Sequence, residues 1–296
     1  MRGTISLLML MCLCSATACA QDMSGNHNHS ASAAASPAST DNMVSQEWAK
    51  QRVEKSPRHR EWVKVKNGSR EVNSFVVYPE NKDKATAVIV IHEIFGMSDW
   101  VQSLTDQLAE AGYVAIAPDL LSGMGPNGGG TSSLSGNAVQ QAIGNLPPDQ
   151  ITADLNAVAD YISKVPASNG KIVVTGYCWG GGQSFRYATN NPNIKAAFVF
   201  YGPAPGGADG TPDKAALAKI KAPVYGFYAG NDARINATLP KTTEAMTELK
   251  KTYEPVTYEG AGHGFMRAGE APDANEANKK ARDEAWARWK KILAGI

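Results

Sequence analysis

From Trp62 to the C-terminus, short apolar runs rich in β-branched and aromatic residues alternate with helical patterns. This alternation restricts the fold more than any other feature of the chain. Strand candidates fall at 61–66, 72–78, 85–91, 113–117, 171–175, 196–201, 224–229 and 255–258. Several are nearly continuous apolar runs, the pattern of strands covered on both faces. Helices are expected over 100–111, 150–164, 180–189, 239–250 and 274–293. The spacing of Ile151, Leu155, Val158 and Ile162 puts four apolar side chains on one helix face. The first two strands suit an antiparallel start, and the rest read as β-α-β units with right-handed crossovers. The expectation is one α/β domain over 46–296, a mostly parallel sheet of about eight strands flanked by helices.

The N-terminus stands outside this pattern. Arg2 precedes a short apolar run from Ile5 to Cys14, and Ala18-Cys19-Ala20 fits the small-x-small rule for cleavage before Gln21. The run is too short to cross a bilayer core of ~30 Å. Residues 1–20 are therefore expected to be a signal peptide, making the protein exported, either periplasmic or secreted. Lipid anchoring through Cys19 is the alternative, disfavoured by Ala16 where such signals usually carry Leu. Residues 21–45 are small, polar and aperiodic, a disordered tether. His27 and His29 there make a weak metal site at best, and no metal or cofactor is expected. Cleavage after Ala20 removes Cys12, Cys14 and Cys19 and leaves Cys178 alone, with no internal disulfide. A lone thiol is commonly a buried small hydrophobe. In an oxidising compartment it is also a liability. A net charge of +1 gives no basis for a nucleic-acid partner.

The setting of Cys178 is unusual. Strand residues 171–175 run into Gly176-Tyr177-Cys178-Trp179-Gly180, and a helix pattern follows directly. This is the G-x-S-x-G nucleophile elbow with cysteine for serine. The tight turn needs its flanking glycines, and a helix N-terminus favours the nucleophilic thiolate. A phosphate loop is the competing reading, but neither G-x-G-x-x-G nor Gly-Lys-Ser/Thr is present. Asp232 follows the next-to-last strand and His263 the last. Each alone is weak, since Gly-Asn-Asp is commonly a turn. Together they give the order nucleophile, acid, histidine that α/β-hydrolases follow. Oxyanion donors are expected from the backbone N–H of Trp179 and of Ile94, in the loop after the third strand. Residues 121–149 form a long connection containing Gly123, Gly125, Gly128, Gly129, Gly130 and Gly136 and then Pro147-Pro148, expected to border the active site as a lid or a disordered segment.

His92-Glu93-Ile94-Phe95-Gly96, Ala117-Pro118-Asp119-Leu120, Gly176 to Gly181, Gly230-Asn231-Asp232 and Gly262 to Arg267 jointly resemble the dienelactone hydrolases (carboxymethylenebutenolidases). The resemblance runs from residue 85 to the C-terminus. It implies an α/β-hydrolase fold without a large cap domain and a Cys178, His263, Asp232 triad. It also implies a carboxylate, Glu93, beside the thiol, which like-charge repulsion keeps protonated until substrate displaces the carboxylate. The alternative for Glu93 is a cap on the helix starting near Ser98. Of the two arginines that bind the substrate carboxylate in the family, Arg267 matches one. Where the other should follow Pro-Asp-Leu, this chain reads Leu121-Ser122-Gly123-Met124-Gly125. The expected activity is thus hydrolysis of a small-molecule activated ester or lactone, rather than dienelactone itself, by a monomer. Trp179, Phe95, Tyr201 and Phe265 are candidates for an apolar substrate pocket. The competing functional readings are a catalytically silent binding protein on this fold and a thiol-redox protein. The latter lacks Cys-x-x-Cys or a resolving cysteine.

Overall fold

The computed structural model describes residues 46–296; the leader, the tether, Cys19, His27 and His29 lie outside the described residues. The chain opens with α1 (Glu47–Glu54), β1 (Arg60–Asn67), β2 (Arg70–Val77), β3 (Ala85–Ile91), α2 (Asp99–Glu110) and β4 (Val114–Pro118). Next come α3 (Asn137–Gly144), α4 (Pro148–Lys164), β5 (Ser168–Tyr177), α5 (Trp179–Asn190) and β6 (Ala196–Phe200). The last third holds α6 (Lys214–Leu217), β7 (Val224–Ala229), α7 (Ala233–Asn236), α8 (Leu239–Glu248), β8 (Tyr253–Tyr258), α9 (Phe265–Ala268) and α10 (Glu276–Leu293).

All eight strands join one sheet in the order β1-β2-β4-β3-β5-β6-β7-β8. β1 and β2 pair antiparallel, as does β2 with β4, and every later pairing is parallel. The continuous apolar runs of β3, β4 and β6 are buried at every residue, which requires a layer on each face. One layer holds α1, α2 and α10, through Trp100, Leu104, Leu108, Trp289 and Leu293. The other holds α3, α4, α5 and α8, and the four-residue stripe Ile151, Leu155, Val158 and Ile162 is buried there as its spacing implied.

An aromatic layer lies directly under the sheet's C-terminal edge. Phe200 stacks on Phe227 at 4.2 Å and on Tyr177 at 4.6 Å, while Trp289 meets Phe200 edge-on at 5.6 Å. Each such buried ring contributes about 1.5–3 kcal/mol of transfer free energy. Tyr177 immediately precedes Cys178, so this packing fixes the platform on which the cysteine stands.

Five helices were not foreseen: the four-residue α6, α7 and α9, and the longer α1 and α3. α1 has only Ala49 and Val53 buried, too little periodicity to read as a helix. α3 lies inside the glycine-rich connection, anchored by buried Val139 and Ile143.

The antiparallel start is held to the helical layer by a buried charge. Asp154 of α4 accepts from Asn67 Nδ2 (2.8 Å) and Arg70 Nε (3.0 Å), while Arg70 also donates to the carbonyls of Leu120 and Ser122. The Asp154 side chain is 1% exposed. Asp154→Ala leaves the guanidinium without its counter-charge and should cost about 3 kcal/mol. Urea unfolding would show this as a lower midpoint at unchanged slope; an unaltered midpoint would contradict it.

Candidate active site

Cys178 sits between β5 and α5 with φ 56° and ψ −116°, a conformation that is strained for any side chain. Bonds from Cys178 N to the Phe200 carbonyl (3.1 Å) and from Gly181 N to the Cys178 carbonyl (3.0 Å) hold it there. The turn is as tight as the motif implied. A Cβ at Gly176 would lie 1.9 Å from the Gly180 carbonyl oxygen, and one at Gly180 would lie 2.3 Å from that of His92. The backbone therefore brings the elbow against the end of β3, and the sulfur emerges partly exposed at the sheet's C-terminal edge.

The loops after β7 and β8 bring Asp232 and His263 to the same edge. Asp232 caps α7 through Ile235 N–H and accepts a 2.5 Å bond from His263 Nδ1. Because a carboxylate can only accept, Nδ1 carries the proton, and the other ring nitrogen is left for Cys178. The Cys178 sulfur lies near enough to the imidazole to raise its pKa. Burial alone would lower the His263 pKa, but the Asp232 carboxylate and the Cys178 sulfur overcome it, pushing the value up to about 9. Burial likewise works against ionisation of Asp232, yet the bond from His263 brings its pKa below the ordinary carboxylate value. The Tyr201 ring packs edge-on against His263 at 5.1 Å; it is wholly buried, and its hydroxyl has no partner among the described residues.

Glu93 is 2% exposed and accepts from Arg267 Nε at 2.8 Å, across 174 residues of sequence. The Arg267 guanidinium also lies over the Phe95 ring, 5.2 Å from its centroid. Two residues of the β3–α2 loop thus hold one arginine of α9. Capping of α2 falls instead to Ser98, whose hydroxyl accepts from Val101 N–H. Neither Ile94 N–H nor Trp179 N–H has an acceptor among the described residues.

Residues 72–296 match the model of the dienelactone hydrolase family. The chain belongs to that family. A relative in Saccharolobus solfataricus, provisionally named a carboxymethylenebutenolidase, is 31% identical over 257 residues, covering 76% of this chain and 94% of that protein. One in Salmonella typhi with the same provisional name is 33% identical, covering 73% of this chain and 79% of that protein. Among solved structures, a provisionally assigned dienelactone hydrolase from Klebsiella pneumoniae superposes with a TM-score of 0.70. It is 26% identical and covers 81% of this chain and 99% of that one. As a family member the chain is an α/β-hydrolase acting on carboxylic ester or lactone bonds.

The glycine-rich connection of this dienelactone hydrolase family member is structured. Two short 3-10 turns and α3 occupy it. Asp119, at the end of β4, accepts from Thr131 N–H and Thr131 Oγ1, both at 2.8 Å. Thr131 Oγ1 in turn accepts from Met97 N–H at 3.1 Å. The excursion is therefore clipped to the β3–α2 loop rather than hanging free. The Pro-Asp-Leu motif drew attention to Asp119, but nothing in the sequence singled out Thr131 among its serine and glycine neighbours. His92, quoted within its motif, also proves to be a structural centre: it is fully buried and stacks on Trp179 at 5.5 Å.

The raised His263 pKa has a definite consequence for stability. A group that binds its proton more tightly when folded stabilises the fold fully below its unfolded value, about 6.5, and loses that contribution as pH rises through about 9. Wild type should therefore lose stability relative to His263→Gln across this window in denaturant titrations. Parallel curves for the two proteins would contradict the arrangement.

Proposed function

We propose that this chain hydrolyses an activated ester or a lactone through a thioester on Cys178, with His263 as general base and acid and Asp232 as its orienting group. The observation that carries the reading is the 2.5 Å bond from His263 Nδ1 to Asp232, on an imidazole that also feels the Cys178 sulfur. An imidazole oriented by a carboxylate can take the thiol's proton and hold it for the leaving group.

The thiolate attacks the carbonyl carbon, forming a C–S bond. The carbonyl oxygen takes the negative charge and is received by the N–H groups of Ile94 and Trp179. Collapse breaks the C–O bond, and the departing oxygen takes the proton from His263. Acylation also removes the sulfur's negative charge, leaving Asp232 alone to raise the imidazole pKa. The lowered pKa keeps His263 neutral, the form able to accept a proton in the step that follows. It accepts a proton from water, hydroxide attacks the thioester, and the thiolate leaves with the acid released. A thiolate leaves readily and is a weaker base than an alkoxide, which suits enol esters, aryl esters and lactones better than amides.

Arg267 and Glu93 bear on substrate charge. A carboxylate-bearing substrate competes with Glu93 for the guanidinium, and Phe95 and Trp179 flank the approach as half-buried aromatics. Substrate that displaces Glu93 thereby helps to generate the thiolate, as the family resemblance implies. With the second family arginine replaced by the Leu121 to Gly125 stretch, one guanidinium has to serve alone. Dienelactone itself is therefore not the proposed substrate. The leader sequence supports action outside the cytoplasm, where a lone thiol gains from such a guarded site.

Cys178→Ala should lower kcat on a chromogenic aryl ester on the order of 10³-fold or more. Turnover equal to wild type would end the proposal. Arg267→Gln should raise KM about tenfold for an anionic lactone while leaving a neutral aryl ester nearly unaffected. Equal effects on both substrates would remove Arg267 from substrate recognition.

A further inference from the structure

His92 is completely buried, lies next to the reacting groups and has no part in the mechanism above. Its Nδ1 lies 2.8 Å from the carbonyl oxygen of Glu93. A carbonyl can only accept, so Nδ1 bears the hydrogen and the ring is the Nδ1–H tautomer. Complete burial disfavours the imidazolium and lowers the pKa, so the ring stays neutral. Its Nε2 has no partner among the described residues.

The accepting carbonyl belongs to the Glu93–Ile94 peptide, the same planar unit that carries the Ile94 N–H. In a trans peptide the N–H points opposite to the C=O, so anchoring one end aims the other. Glu93 O is anchored twice, by His92 Nδ1–H and by Gly96 N–H at 3.1 Å. Bonds on a carbonyl also polarise its peptide and strengthen the N–H as a donor. On its flat side the same ring stacks on Trp179, with 13° between planes. The imidazole thus bonds the peptide that carries the Ile94 N–H and stacks on the side chain of Trp179, the residue that carries the other N–H. Its own carbonyl oxygen lies where a Cβ on Gly180 would intrude, so this backbone is also fixed against α5.

We propose that His92 is a positioning residue that aims the Ile94 N–H by bonding the carbonyl of its peptide and registers it against Trp179. This rests on the reading that Ile94 and Trp179 receive the oxyanion. His92→Phe keeps a planar ring over Trp179 and removes the donor, whereas His92→Asn offers an amide N–H near the position of Nδ1.

The test compares both variants with wild type on a chromogenic aryl ester and, separately, in alkylation of Cys178 by iodoacetamide. Alkylation displaces iodide and builds no oxyanion, so it reports the thiol and imidazole alone. For His92→Phe, kcat should fall about tenfold with KM and alkylation rate within about twofold of wild type, a fraction of losing a whole donor. His92→Asn should recover most of the lost kcat.

Wild-type kcat in His92→Phe, an equal fall in its alkylation rate, or a fall in His92→Asn as large as that in His92→Phe would overturn the proposal. Should His92→Phe not fold, His92→Asn decides: kcat near wild type supports the role, and a tenfold loss refutes it. Cys178→Ala separates the two levels. Its full activity would remove the hydrolase mechanism itself, whereas its inactivity beside an unimpaired His92→Phe would remove only the role of His92.

Discussion

The contact between the start of α5 and the end of β3 governs the rest of the site. Gly176 and Gly180 allow two stretches of backbone to approach within distances that no Cβ would permit. That approach lifts Cys178 into a left-handed conformation above the sheet, and it sets the β3–α2 loop directly beside the sulfur. The conformation is strained, and packing around it has to supply the compensation. Tyr177 on one side of the cysteine and Phe200 beneath it belong to the aromatic layer that α10 covers. Stability of the fold and placement of the nucleophile are therefore one problem with one solution.

Charge at the site is organised in two pairs that share a small volume. His263 lies between Asp232 and Cys178, and Glu93 lies on Arg267. The first pairing gives an imidazole whose pKa depends on the charge of both neighbours. The second keeps a buried carboxylate compensated, which a site of low polarity requires. Phe95 and Glu93 reach Arg267 from the same loop that presents Ile94, so substrate charge and oxyanion stabilisation depend on one segment. Thr131 pins that segment from the other side through Met97.

Much of this was readable from the chain, for physical reasons. Runs such as Ala85–Ile91 and Val224–Ala229 are buried strands, and a strand with no wet face has no reason to alternate. Cys178, Asp232 and His263 were legible because each stands just past a strand and between small residues that a tight turn needs. What escaped depends on long-range pairing or on backbone atoms. Glu93 and Arg267 are 174 residues apart, and the resemblance marked both without indicating that they bond each other. The connection over 121–149 read as a lid or a disordered segment because glycine has no intrinsic order. Asp119, Thr131 and the apolar pair Val139 and Ile143 supply the order that its composition conceals. The part played by His92 was hidden because it acts on a carbonyl, which leaves no trace in residue identity.

The central claim is that the acyl group passes through the sulfur of Cys178, and it can be read directly by intact-protein mass spectrometry. Brief exposure to an aryl ester, in a His263→Gln background that slows the second half-reaction, should add one acyl mass. Peptide mapping should place that mass on Cys178, and hydroxylamine should remove it as a thioester. Acyl mass on a different residue, or turnover by the wild type with no adduct at Cys178 under any quench, would contradict the account.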